Sequence, residues 1–205
     1  MIRPIFLLLF LFSFSTRAQE IAITFDDAPT PDGPLLRGEE RTTMIIDHLK
    51  KHHVKEAAFF VVTGSIHQRN IQRLKKYVDA GHLSGNHSNT HRRIDLLGTG
   101  NYIRDVERAD SMLNLYSSYM KWFRFPFLDE GRTISARDSI RMALRDIGLK
   151  NGYVTVDNYD WYINHLVKVA KEGNKKINED NLRKVYIDHI SFRIGNGIAP
   201  KDVAL

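Results

Sequence analysis

Six consecutive apolar residues, Ala57 to Val62 (AAFFVV), constrain this chain more than any other stretch. The run is too short for a core helix and lacks the alternation of a strand with one wet face. It reads as a strand buried on both sides, as in sheets that helices cover. Ile21 to Phe25 reads as a further strand, and a loop rich in Pro and Gly follows from Ala28 to Gly38. Helices are expected from about Glu40 to His53 and from about Gln68 to Ala80, the second with Ile71, Leu74 and Val78 on one face and Gly81 as its stop. Tyr102, Val106, Ala109, Leu113 and Tyr116 recur at three- and four-residue steps and predict the longest helix. Trp122 to Phe127 and Gly152 to Val156 are expected strands. Between them, Ser135 and Asp138 have capping-box spacing ahead of Ile140, Leu144 and Ile147. One or two helices carry the chain to about Ile190. This alternation predicts an α/β fold on a parallel sheet, closed or open, and in either form ligand sites gather at the carboxyl ends of the strands.

The first residues read as a leader rather than as fold. Arg3 precedes an unbroken apolar run, Ile5 to Phe12 (IFLLLFLF), and Thr16 and Ala18 supply the small residues of a cut after Ala18. The expectation is a signal peptide over 1–18, a single catalytic domain over 19–205, and export to the periplasm or beyond. The apolar stretch falls short of the roughly 20 residues of a spanning helix, so no stable membrane span is expected after cleavage. The chain has no cysteine, which leaves His, Asp and Glu as metal ligands. Its formal charge of +6 falls to +4 when Arg3 and Arg17 leave, with 28 basic against 24 acidic residues. The basic residues are scattered with acidic neighbours, as in RLKKYVD, which describes a solvated surface rather than a nucleic-acid partner.

Four polar clusters sit just after expected strands. Asp26 and Asp27 are adjacent carboxylates that repel one another, so they need a cation or a proton; a plain turn before Pro29 is the other reading. His87 and His91 are four residues apart, a spacing that in a helical turn turns two imidazoles to one side, although two exposed histidines would look the same. Arg124 lies in the aromatic run Trp122 to Phe127, where structural pairing and a catalytic role fit equally well. Asp157 to Tyr162 (DNYDWY) sets aromatics beside carboxylates, as in a sugar-binding wall or a core contact.

Taken together and in this order, Thr24-Phe25-Asp26-Asp27-Ala28-Pro29, His87-Ser88-Asn89-Thr90-His91, Arg124 to Phe127 and Asp160-Trp161 resemble the motifs of the polysaccharide deacetylase (NodB-like) family. The resemblance runs from about Ile21 to Ile190. It implies a distorted (β/α) barrel, incomplete at its C-terminal end, and a metal-dependent hydrolase that removes N-acetyl or O-acetyl groups from an extracellular or cell-wall glycan. It implies Asp26 as general base and Asp27, His87 and His91 as ligands of a divalent ion, usually zinc, with cobalt or another ion as alternatives. Arg124 would orient Asp26, Asp160 would support Arg124, and Trp161, Phe125 and Pro126 would meet the substrate. Ala28 stands where the family more often has Gly, and the glycine after the Arg-Pro motif is delayed to Gly131. The family's last motif, an apolar strand ending in Leu-x-x-His whose His protonates the leaving amine, has no counterpart in the sequence. His189 shares helical spacing with Leu182, Val185 and Tyr186 and reads as a packed helix residue. A catalytically impaired glycan-binding relative and a hydrolase of small amides or ureides are the alternative expectations.

Overall fold

The structure, a computed structural model, describes residues 21–197. The expected leader over 1–18 and the final residues of the tail lie outside the described residues. Five parallel strands form one sheet in the order β1 (Thr24–Ala28), β2 (Ala58–Val61), β3 (Leu83–Asn86), β4 (Tyr119–Phe123) and β5 (Lys150–Asn151). Helices α1 (Gly38–Lys51), α2 (Ile71–Asp79), α3 (Ile94–Leu97) with α4 (Thr99–Leu113), and α5 (Ile134–Asp146) make the four crossovers, and α6 (Asp160–Glu172) and α7 (Glu179–Gly197) follow β5. Among the described residues β1 and β5 are free edges, so the sheet is an open arc of the distorted, incomplete barrel that the resemblance implies.

β2 explains the arrangement. All four of its residues are buried, and alternate side chains leave on opposite faces. Phe59 and Val61 pack outward with Leu49 of α1, Leu74 and Tyr77 of α2 and Leu113 of α4; the Phe59 and Tyr77 rings stack with centroids 3.8 Å apart. A second cluster joins Tyr102 and Val106 of α4, Phe123 of β4, and Ile140 and Leu144 of α5. Phe60 faces the other way, and that face is crowded. A Cβ on Gly85 would lie 2.8 Å from its ring, and one on Gly152 would lie 2.6 Å from it. Only glycine lets neighbouring strands close around this phenyl group.

The expected helix faces hold best where they are longest: Tyr102, Val106, Ala109 and Leu113 are all buried. Several boundaries differ. The buried face of α2 is Arg73, Leu74 and Tyr77, while Ile71 is exposed, because Arg73 turns inward to donate to the Thr30 carbonyl. Thr133, not Ser135, caps α5, its hydroxyl accepting from the Ala136 amide at 3.2 Å. β4 starts at Tyr119 and stops at Phe123, since a 3₁₀ turn begins at Pro126, and β5 lies just before Gly152 rather than after it. α7 runs on to Gly197, past the expected end near Ile190.

The Gly85 approach supplies a test. Gly85→Ala is expected to lower stability by about 1–3 kcal/mol through overpacking against Phe60, read from the urea midpoint. An unchanged midpoint would mean that the strands part without cost.

Candidate functional site

The carboxyl ends of β1, β3 and β4 bring the expected residues together. Asp26 and Asp27 lie inside β1 rather than beyond it, at a point where the register with β2 shifts between Phe25 and Ala28. In a regular strand adjacent side chains diverge, but here the irregularity and the positive φ of Asp27 (61°) keep both carboxylates on one side. Asp26 Oδ2 and Asp27 Oδ1 stand 3.8 and 3.7 Å from the same nitrogen, His87 Nε2.

His87 and His91 do not form the helical turn that their spacing suggested. They lie in a loop in which Ser88 and His91 both have positive φ (64° and 52°), and the loop still brings the imidazoles within 4.8 Å of each other. Buried Asn86 holds it, donating to the Val106 carbonyl (3.0 Å) and accepting from the Ser88 amide (2.8 Å). The Ser88 hydroxyl accepts from the His91 amide at 2.9 Å, and Asp105 of α4 accepts from the amides of Asn89 and Thr90. His87 is buried, and its Nδ1 lies 2.8 Å from the Arg124 carbonyl. A carbonyl only accepts, so Nδ1 carries the proton and the Nε2 lone pair faces the carboxylates. His91 Nε2 lies 3.2 Å from Asp27 Oδ1.

Arg124 is 4% exposed and held through Nε and Nη1. Its Nη1 donates to Asp26 Oδ1 (2.5 Å) and to the Thr24 hydroxyl (2.8 Å), its Nε donates to the Gly152 carbonyl (2.8 Å), and the guanidinium lies 3.8 Å from the centre of the Phe60 ring. Asp160, expected to support Arg124, is not among these partners. It opens α6, where one oxygen accepts from the Trp161 amide at 2.8 Å. The residue keeps an exposed side, but protein atoms crowd its carboxyl. That desolvation, then the charges of Asp157, Asp26 and Asp27, push its pKa up, against the Trp161 hydrogen bond.

The aromatic expectations need correction too. Phe125 and Pro126, expected to meet the substrate, have buried side chains, that of Phe125 against Tyr102 and Phe123. The 3₁₀ turn at Pro126 throws the next side chain outward instead. Phe127 (φ 60°) is 53% exposed, with its ring 4.7 Å from that of His91. Trp161 is 63% exposed beside Tyr162, which leaves its ring free at the surface. Asn86, Thr24, Asp105 and Phe127 were given no role from the sequence, although Thr24 and Phe127 stand inside the motifs quoted above and Asp105 lies next to the buried stripe of α4.

Among the described residues Asp27, His87 and His91 form the one group of three potential metal ligands, their ligand atoms within 4.8 Å of one another. Two imidazoles and one carboxylate suit a borderline divalent ion, for which ligand atoms stand about 3–3.5 Å apart. The tautomer fixed on His87 also fits, since it presents a lone pair.

Residues 14–152 match the family profile described as polysaccharide deacetylase. A peptidoglycan-N-acetylglucosamine deacetylase of Bacillus cereus is 30% identical over 167 residues, which cover 75% of this chain and 69% of that protein. A second B. cereus protein of the same description is 30% identical over 119 residues, 58% of this chain and 40% of the relative, so the chain spans well under two thirds of that protein's length. Among solved structures, a CE4 family pseudoenzyme from Bacillus anthracis superposes with a TM-score of 0.55 at 25% identity, covering 69% of this chain and 45% of that one.

Burial lowers the His87 pKa, although Asp26, the Arg124 carbonyl and Asp27 oppose the shift. A histidine depressed in this way adds stability that is complete above its unfolded pKa near 6.5 and is lost as pH falls toward the lower folded value. Metal-free protein is therefore expected to lose stability as pH falls below about 6.5, and His87→Asn should lose less. Parallel pH curves from urea unfolding in chelator would contradict this.

Proposed function

Because the chain belongs to the polysaccharide deacetylase family, we propose that it hydrolyses the N-acetyl, or O-acetyl, groups of an acetylated glycan outside the cytoplasm. The observation that carries this reading is the division of labour between the two adjacent carboxylates. Asp27 faces both imidazoles, whereas Asp26 is tied to Arg124. Asp27, His87 and His91 would hold a divalent ion, with zinc favoured by the donor set and cobalt or another ion as the alternative. Such an ion, when bound, polarises an acyl carbonyl and lowers the pKa of water.

The remaining chemistry belongs to the chain. Arg124 fixes Oδ1 of Asp26, so Oδ2 is the oxygen left to take a proton from an attacking water as general base. His87 is pinned through Nδ1 and so cannot swing away while the reaction proceeds. Phe127, exposed beside His91, and the exposed ring of Trp161 are aromatic faces suited to the acetyl methyl or the apolar face of a sugar. Asp160 adds negative charge near the pair rather than a bond to Arg124. A cell-wall glycan built on N-acetylglucosamine is the substrate class that the relatives' descriptions support. Action outside the cytoplasm is supported by the run Ile5–Phe12 behind Arg3, with residues 19–205 as the working domain. No helix among the described residues is long and apolar enough to cross a membrane.

Acetate release from a panel of acetylated glycans, with and without added zinc, tests the reading directly. Zinc-dependent release is the expected result. Zinc binding and glycan binding without release would make the protein a glycan-binding relative instead. Asp26→Asn is expected to keep zinc while lowering kcat by roughly 10²–10⁴. The double variant His87→Ala, His91→Ala should weaken zinc binding by at least about 10- to 100-fold. Loss of zinc with Asp26→Asn and retention with Asp27→Asn would exchange the two assignments.

A further inference from the structure

The two candidate imidazole ligands are held in different ways. His87 is 2% exposed and its second ring nitrogen is spent on the Arg124 carbonyl. His91 is 25% exposed in its side chain, its backbone has positive φ, and its Nδ1 has no hydrogen-bond partner among the described residues. Metal-ligating histidines are almost always oriented by a hydrogen bond to the second nitrogen. His91 has a ring contact in that place, with Phe127 at 4.7 Å. Phe127 is itself in a costly backbone conformation, so something must hold it there.

What holds it is Arg93, two residues beyond His91. Its guanidinium lies 4.4 Å from the centre of the Phe127 ring, and its Nη1 donates to Asp129 Oδ2 at 2.8 Å. Asp129 is anchored in turn, its other oxygen accepting from the Gly131 amide at 3.0 Å. The loop after β3 and the loop after β4 are thus cross-linked three times within a few residues, by His91–Phe127, Arg93–Phe127 and Arg93–Asp129. Each contact alone is worth little, but a stacked guanidinium that also pairs with a carboxylate is a planar, preorganised clamp.

We propose that Arg93 is a positioning residue which, anchored by Asp129, holds Phe127 against His91 and so sets the orientation of that imidazole for metal binding. The proposal rests on the metal reading above. It predicts that zinc affinity depends on a side chain that touches neither the ion nor its ligands. Arg93→Met removes the charge and the planar stack while keeping an apolar stem. Arg93→Lys keeps the charge toward Asp129 but not the stacking plane, and Asp129→Asn loosens the anchor alone.

Two measurements on the full chain test it. In metal-free protein, the ring-proton resonance of His91, assigned with His91→Gln, reports the ring current of Phe127. In a chelator competition, zinc affinity reports the ligand set. Arg93→Met is expected to move the His91 resonance as Phe127→Leu does and to weaken zinc binding by about tenfold or more, with Arg93→Lys intermediate and the exposed neighbour variant Arg92→Met unchanged. The Arg93→Met, Phe127→Leu double variant should lose no more affinity than the worse single one. Wild-type resonance and affinity in folded Arg93→Met overturn the proposal; if that variant fails to fold, the same result in Asp129→Asn and Phe127→Leu does so. If wild-type protein binds no zinc while the His91 resonance still depends on Arg93, the metal reading falls and the positioning of His91 stands.

Discussion

One guanidinium organises this molecule. Arg124 follows β4, yet it engages every other strand: Asp26 and Thr24 on β1, Phe60 on β2, the Asn86 carbonyl on β3 through its own amide, and the Gly152 carbonyl beside β5. Its carbonyl then fixes His87. Burying a charge so completely is costly unless each donor finds an acceptor and an anion stands close by. Asp26 is that anion. The requirement explains why an acid sits where an apolar strand would otherwise continue, and why Gly85 and Gly152 leave room for the phenyl ring beneath.

Backbone strain follows the same geography. Asp27, Ser88, His91, Phe127 and Leu128 all have positive φ and lie in β1 or in the loops after β3 and β4, while His53, Tyr159 and Asn174 share that conformation beside helix ends. Residues in this conformation persist only where surrounding contacts over-determine them. The contacts are identifiable here: the Ser88 hydroxyl on the His91 amide, Asp105 on the amides between the histidines, Arg93 on Phe127. In the loop after β3 these bonds come from the side chains of Asn86, Ser88 and Asp105, which satisfy the amides of Ser88 to His91.

How much of this was legible in the sequence depended on whether the cause was local. The buried run of β2 and the stripe of α4 are periodic signals, and both held along their length. The strand ends were misplaced because β1 carries its acids inside the ladder and β4 yields to a turn at Pro126. Phe125, expected at the substrate, is buried and Phe127, which carried no expected role, is exposed, since a strand alternates its side chains and a 3₁₀ turn does not. The histidine pair converged, but through left-handed residues that no spacing rule anticipates. Partnerships across 15 or more residues, such as Asp105 with the His loop or Arg124 with Thr24, leave no mark on a local pattern. Asp160 was assigned to Arg124 by its place in a motif, and the chain instead spends it on the first turn of α6.

The bonds from Arg124 to Asp26 and Thr24 close loops of 98 and 100 residues. Contacts of that separation form late, because the entropy of closing the chain must be met before they stabilise anything. The carboxylate pair and the histidine loop are therefore assembled only in a chain whose five strands have already aligned. By mass action, whatever binds the finished site draws the sheet toward its native arrangement, so ligand binding and the global folding equilibrium are linked.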